Sequence, residues 1–296
     1  MRTPGGSGWA LNGFPTDGTD ESGVEWITTS DTEGWDDMAG TRGGVVPRED
    51  GDGARVEPTY LDPVPVVLRV RIKGPDPEAT VRALAQLKAA VPVRLPAPLV
   101  YISRGTARHR MVKQEGKPTF KRVSETIIDA AIQLVAPDPL LFGGDGTGPT
   151  FTAGPVGLPR VEGGKRISTA KPLRLTAATP LRIAAKVTSG QLALAVGGTE
   201  RPPTIIRITG PLPDFTIKAN LGESIQVQRY IDPVPAGQFL EIDLARRTVK
   251  INGQVSRRNR LVGRWIIPAP GMVFEFTSST YNETAAMAIT ATSAWR

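Results

Sequence analysis

The chain holds one histidine and no cysteine, so few residues could act as a general base, a nucleophile or a soft metal ligand near neutral pH. His109 stands in the run Ala107-Arg108-His109-Arg110-Met111. Its two cationic neighbours disfavour the imidazolium, and the run reads as an exposed edge strand, not as the seat of a general base. A Ser-His-Asp triad would depend on this one residue, and no G-x-S-x-G turn presents a serine. Zinc would have to be held almost wholly by carboxylates, an unusual donor set. Gly143-Gly144-Asp145-Gly146 and Gly163-Gly164-Lys165-Arg166 depart from the phosphate-binding pattern G-x-x-x-x-G-K-[ST] and open no helix, so they read as linker. Asp50-Gly51-Asp52-Gly53 lacks the downstream bidentate Glu of an EF-hand. The side chains of Asp36-Asp37 would point to opposite faces of an extended chain and read as turn acids. The expectation is no catalytic residue, no cofactor and no metal site.

The densest basic sites are Arg246-Arg247 and Arg257-Arg258-Asn259-Arg260, which flank one hairpin. Single-stranded nucleic acid would call for aromatic residues between them for base stacking, and Leu240 to Val262 contains none. The reading is a solvated or subunit-facing basic edge without sequence-specific nucleic-acid binding. Asn282-Glu283-Thr284 fits a glycosylation sequon, which carries no weight without a secretion signal. The opening residues have no apolar h-region, and no stretch approaches the ~18 apolar residues of a transmembrane helix. A soluble chain made in the cytoplasm, with no membrane anchor and no disulfide, is expected.

The elements that would position any of these residues are mostly strands. At 296 residues the chain is about two domains long, and its 32 Gly and 27 Pro favour turns and short strands over long helices. Residues 1–63 hold 13 acids and 4 bases, a net charge of −9, whereas the rest holds 16 acids and 32 bases, a net of +16. The acidic part reads as an extended arm with one or two strands, one of them near Val24 to Ile27, and with Trp9, Phe14, Trp26 and Trp35 as sparse anchors. An acidic arm and a basic body on one chain predict docking of one on the other, across subunits more than within one.

Val64 to Lys73 alternates apolar and polar residues with the period of two of a half-buried strand. Asp76 then fits an N-cap with Pro77 at the first helical position. Val81, Leu84, Leu87 and Val91 would form the buried stripe of the one helix, which Pro92 closes. Strands are predicted at Leu99 to Ser103, Met111 to Gln114 and Ile127 to Val135. The Gly/Pro-rich residues 143–164 read as a linker between a domain at 64–142, with parts of the arm, and an all-β domain at 165–296. In that second part, strands are predicted near 203–210, 240–244, 248–255, 265–267, 273–276 and 287–290, and Asn252-Gly253 marks a hairpin turn. Short strands separated by turn residues mean a β-sandwich or barrel. The sandwich loops Ser189-Gly190, Gly197-Gly198 and Ala245 to Arg247 carry no aromatic residue, so no sugar site is expected.

Several of these segments, in this order, resemble a known family. Ile127 to Pro139, a strand closing on Asp138-Pro139, resembles the end of the N-terminal belt domain of phage distal tail proteins. Pro203 to Pro211 is similar to that family's P-x-I-x-I-x-G segment. Leu240 to Asp243, Arg247, Val249 and Asn252-Gly253 resemble its following hairpin, Pro268 to Gly271 its P-x-P-G step, and Trp295-Arg296 its chain end. The resemblance spans about residues 64 to 296. It implies a mainly β chain with one helix, a split-barrel-like belt domain and a galectin-like β-sandwich. It further implies a structural, non-enzymatic protein of the virion, in a ring (a homohexamer) at the distal end of the tail tube. Such a ring links the tube protein to the tip hub and receptor-binding proteins and surrounds the DNA channel. A glycan-binding adhesin or receptor-binding tail-tip protein is the alternative.

Overall fold

A computed structural model describes residues 8–29, 32–159 and 189–296. The chain divides into two compact units, residues 1–149 with 294–296, and residues 150–293. The division falls between Pro149 and Thr150, not across a linker at 143–164, because Phe151–Gly157 is a strand paired with Ala286–Ala291. Residues 160–188, including Gly163-Gly164-Lys165-Arg166 and the expected start of the second domain, lie outside the described residues.

The first unit is one sheet of eleven strands that curls on itself. Its hydrogen-bonded order runs Phe14–Pro15, Gly8–Leu11, Ala97–Ser103, Thr106–Gln114, Ile127–Ala136, Val64–Lys73, Glu25–Thr28, Gly18–Thr19. Thr119–Arg122 pairs with Ile127–Ala136, and Leu141–Gly143 pairs with Thr106–Gln114 and with the terminal Ala294–Trp295. The two ends of that order, Pro15 and Gly18, are three peptide units apart in sequence and hence within about 11 Å of each other. The sheet therefore has to be nearly closed.

Asp17 sits at this seam. Its carboxylate accepts from the Trp9 amide at 2.7 Å and from the Thr28 amide at 2.6 Å, joining Gly8–Leu11 to Glu25–Thr28, the strands next to the two ends of that order. Thr28 Oγ1 donates to the Thr16 carbonyl at 2.9 Å beside it. These contacts satisfy backbone donors that closure would otherwise leave unpaired.

The barrel's centre is the pairing of Val64–Lys73 with Ile127–Ala136 over ten residues. Alternation puts Val66, Leu68, Val70 and Ile72 opposite Leu134, Ile132, Ala130 and Ile128, and all eight side chains are buried. The predicted strands therefore stand, the second lengthened by Ala136. The segment expected to be an extended arm folds in its first half into the barrel, and the strand expected near Val24 to Ile27 is there, at Glu25–Thr28. Gly8–Leu11 and Glu25–Thr28 are barrel strands, and Trp9, Trp26 and Trp35 belong to the core. Gly34, at φ +83°, lets Trp35 turn inward where a Cβ would strike the Pro65 carbonyl oxygen. The first half of the arm folds because its tryptophans have apolar area to bury, at roughly 25 cal/mol per Å².

The helix spans Pro77–Ala90, with Asp76 accepting from the Ala79 amide at 2.7 Å. Its buried face is Ala79, Thr80, Ala83, Leu87 and Ala90, not a stripe through Val81, which is 49% exposed. Val81 lies two residues from both Ala79 and Ala83, on the opposite side of a 3.6-residue turn. The small alanines let the helix lie against the sheet, and larger residues farther round the turn are left to solvent.

The second unit is a β-sandwich. One sheet runs Phe151–Gly157, Ala286–Ala291, Thr204–Thr209, Phe239–Asp243, Thr248–Ile251, Val255–Ser256. The other runs Gln191–Ala193, Val273–Thr277, Phe215–Leu221, Ser224–Tyr230, Leu261–Gly263. Asn252 and Gly253 turn the predicted hairpin with φ +50° and +71°. Trp265 to Ile267 is not a strand. Two prolines follow it, and the Ile267 amide bonds the Gln226 side chain at 2.8 Å in place of a ladder. The hairpin of 215–221 with 224–230 was not legible in the sequence, although it supplies Phe215 and Tyr230, stacked with ring centroids 5.1 Å apart.

Replacing Asp17 with alanine removes two charge-assisted bonds at the seam and leaves two amides without their acceptor. Denaturant unfolding is expected to show a loss of about 2–4 kcal/mol, with Asp17→Asn recovering part of it.

Candidate assembly surface

The structure places most of the residues singled out for chemistry, and Gly163-Gly164-Lys165-Arg166 lies outside the described residues. His109 is not on an edge. Its strand, Thr106–Gln114, is flanked on one side by Ala97–Ser103 and on the other by Leu141–Gly143, and His109 faces Val100 and Phe142 in register. It is 6% exposed. The edge reading fails because Leu141–Gly143, short and followed by glycines, gives no strand signal of its own. Nδ1 lies 3.0 Å from the Gly144 carbonyl oxygen, an acceptor, so that nitrogen carries the proton. Burial depresses the imidazole pKa, against the opposing pull of the Gly144 carbonyl and Asp145. Gly146, at φ +81°, passes so close that a Cβ would press on Pro98 and on His109 Cδ2. The Gly143–Gly146 run is thus a wrap around a core histidine. Asp145 in that run accepts from the hydroxyl and amide of Thr147, which holds its pKa low.

Arg110, one residue on, is 3% exposed. It donates to the carbonyls of Pro139 at 2.6 Å and Trp35 at 3.1 Å, and its guanidinium lies 5.9 Å from the Trp35 ring centroid. Burial lowers its pKa, and Asp36, Asp138 and Asp37 oppose that with their negative charge. The Asp36-Asp37 pair therefore has an electrostatic role beside a buried cation. Among the described residues, no group of three or more His, Cys, Asp or Glu could hold a metal ion, and no helix is long and apolar enough to cross a membrane.

Part of the excess acid is paired within the chain. Glu33 meets Arg69 at 2.6 Å and Glu25 meets Lys73 at 3.1 Å on the outer face of the barrel. Beside them Arg71 and Asp129 make a two-pronged pair at 2.7 and 2.9 Å, which keeps the Asp129 carboxyl below its usual range. Cross-subunit docking of the whole segment is thus not what the fold shows, since part of it docks on its own barrel. The exception is 38–62, which leaves the barrel as two small ribbons, Thr41–Arg42 with Tyr60–Leu61 and Val45–Pro47 with Ala54–Val56. Met38, Val45, Val46, Val56 and Tyr60 on it are all exposed.

In the sandwich, the basic edge is partly neutralised. Arg246 lies 3.8 Å from Asp243 and Arg260 3.4 Å from Asp232. Arg207 stacks on Phe239 at 3.6 Å, and Arg258 lies over Trp265 at 5.5 Å, so arginines cover the rings nearest this edge. Asn282 accepts from the amide and hydroxyl of Thr284, closing a turn. Phe215, Tyr230, Phe274 and Phe276 are core residues, whereas Trp295 pairs with the first unit, under Arg108 at 4.7 Å. Tyr281 lies in a loop, outside any strand. It is 47% exposed and lines a shallow groove of about 300 Å³ with Pro211, Pro213, Pro233 and Pro235.

Because His109 binds its proton less readily when folded than unfolded, its contribution to stability is complete above the unfolded pKa of about 6.5. It is lost progressively as pH falls below that value. Unfolding midpoints measured at pH 5 and pH 7.5 should show a smaller difference in His109→Gln than in the unchanged chain.

No protein-family model matches the sequence, and no curated protein matches it. Among solved structures, the chain superposes on the SPP1 Dit (gp 19.1) protein, described as a paradigm of the hub adsorption apparatus in phages infecting Gram-positive hosts. The TM-score is 0.61 at 11% identity, over 98% of this chain and 99% of that chain. Two chains of the phage P2 baseplate in its activated conformation, with Ca and with Sr, also match. Their TM-scores are 0.44 and 0.41 at 7% and 9% identity, each over 86% of this chain and 87% of theirs, and no argument rests on these two. At such identities the fold is what is shared, and over nearly its whole length the chain has the fold of a phage distal tail hub protein.

Proposed function

We propose that the chain is a structural, non-enzymatic protein of a phage tail, assembled in the host cytoplasm and carried at the tail tip of the virion. Copies of it form a ring, a homohexamer, at the distal end of the tail tube, which links the tube protein to the tip hub and receptor-binding proteins and surrounds the channel for DNA. The observation that carries this reading is the likeness to the SPP1 Dit protein across both units. It agrees with the placement of the singled-out residues: His109, Arg110 and the Gly-rich run at 143–146 all hold the fold together. A ring also gives the exposed apolar residues of 38–62 a surface to cover. The domain roles follow the same likeness, with residues up to about 140 forming the ring and the sandwich outside it. Six copies of the 31.6 kDa chain should appear as one species by light scattering and as rings of uniform size in negative stain. A chain that stays monomeric at high concentration, and that antibody labelling fails to find at tail tips, would sink the reading.

A glycan-binding role has one observation in its favour, the exposed Tyr281 beside Thr280 and Asn282 in the proline-lined groove. The groove is shallow and its remaining walls are apolar, whereas a sugar site combines an aromatic face with several convergent polar groups. A glycan array probed with the full chain is expected to show no specific binding. Binding to one cell-wall sugar that Tyr281→Ala abolishes would establish the adhesin reading.

A further inference from the structure

We propose that the ribbon Val45–Pro47 with Ala54–Val56 is a connecting strut that lays its apolar face on the Val93–Pro96 loop of a second copy of this chain. The inference rests on the ring reading and names the surfaces that would join its subunits.

The register of the ribbon carries the first part. Val45 is opposite Val56, and Pro47 is opposite Ala54, so these four side chains share one face. Val46 and Arg55, opposite one another, share the other face. One side of the ribbon is thus wholly apolar, and Val45 and Val56 on it are 67% and 78% exposed. A two-stranded ribbon is marginally stable in water by itself, and this one pairs with no larger sheet. A segment that leaves the barrel to present an apolar face needs a surface to receive it.

Charge identifies the receiver. The ribbon's turn carries Glu49, Asp50 and Asp52, with Glu57 just after it, against Arg48 and Arg55, and none of these acids is in an ion pair among the described residues. The matching surface combines exposed apolar side chains with unpaired cations. Val93 and Leu95 are 60% and 78% exposed on either side of Arg94. The Gln114 amide donates to the Pro92 carbonyl at 2.8 Å, so the strand end that leads to Lys117, three residues on, is bonded to the residue that opens this loop. Lys88, at the adjoining helix end, rests over Phe120 at 4.9 Å. Arg94, Lys117 and Lys88 have no carboxylate within ion-pair distance among the described residues. Ribbon and loop are different surfaces of one chain, so the contact between copies is head-to-tail, the kind that closes into a ring when the rotation allows.

The absence of cysteine from the chain makes the test direct. In the double variant Val56→Cys with Leu95→Cys, mild oxidation should give a covalent ladder of chains, absent from either single variant. In Val45→Asp with Val56→Asp, both exposed positions, the melting temperature should stay unchanged while the concentration at half-assembly rises by at least about tenfold. If the unchanged chain assembles but the aspartate pair leaves assembly intact and the cysteine pair gives no ladder, the strut is overturned and the ring reading survives. If the unchanged chain is monomeric at every concentration and on the tail, both fall.

Discussion

A sheet of strands this curled has two edges that must meet, and in the first unit they meet at one carboxylate. Asp17 takes the amide of Trp9 with one oxygen and that of Thr28 with the other. Those two residues lie on the strands next to the two ends of the hydrogen-bonded order. The seam also determines where Trp9 and Trp26 go, since their strands are held at the rim with alternate side chains inward. With the rim held, Trp35 packs edge-on to Trp9 at 4.8 Å, and Arg110 reaches the Trp35 carbonyl from the barrel wall. A barrel closed in this way has few free strand edges to invite unwanted pairing, so contact between copies has to come through surfaces made for it.

The acidic part of the chain therefore does two kinds of work. Asp17, Asp20, Glu25 and Glu33 act within the barrel: Asp17 at the seam, Asp20 accepting from Ser22, Val24 and Trp26, and the two glutamates as partners for Arg69 and Lys73. Exposed pairs of this sort contribute only about 0–1 kcal/mol each, and their value is in registering one strand against the next. The acids between 49 and 57 have no such partners, and they stand on the ribbons that leave the barrel. The charge asymmetry read from the sequence thus separates into a folding part and an exposed part.

A protein whose proposed work is to hold neighbours together needs rigidity and surfaces more than reactive groups. The histidine fits that account. Kept neutral by burial and donating Nδ1–H to a carbonyl, it packs beside Phe142 and anchors the loop that leads out of the first unit. Arg110 is a buried cation that gathers carbonyls from two loops, with three aspartates nearby to offset its desolvation. The sandwich follows the same pattern, its large aromatics inside and its arginines lying over the rings that remain outside.

By itself, the sequence determined the elements whose signal is local. The alternation of Val64 to Lys73 and Ile127 to Val135, the Asp76-Pro77 helix start, the positive φ at Asn252-Gly253 and the all-β character of the second part are decided by residues within one turn or one strand of each other. Tertiary structure decided whatever depends on a partner distant in sequence. The face the helix buries was set by the sheet beneath it, so small alanines displaced the larger Val81. His109 became a core residue because Leu141–Gly143 pairs alongside it, and residues 8–28 became barrel because Asp17 could bridge strands that no short-range pattern links. The chain's last strand returned to the first unit for the same reason: Ala294–Trp295 finds its ladder on Leu141–Phe142, about 150 residues back, and pairing over that separation leaves no periodic trace in the sequence.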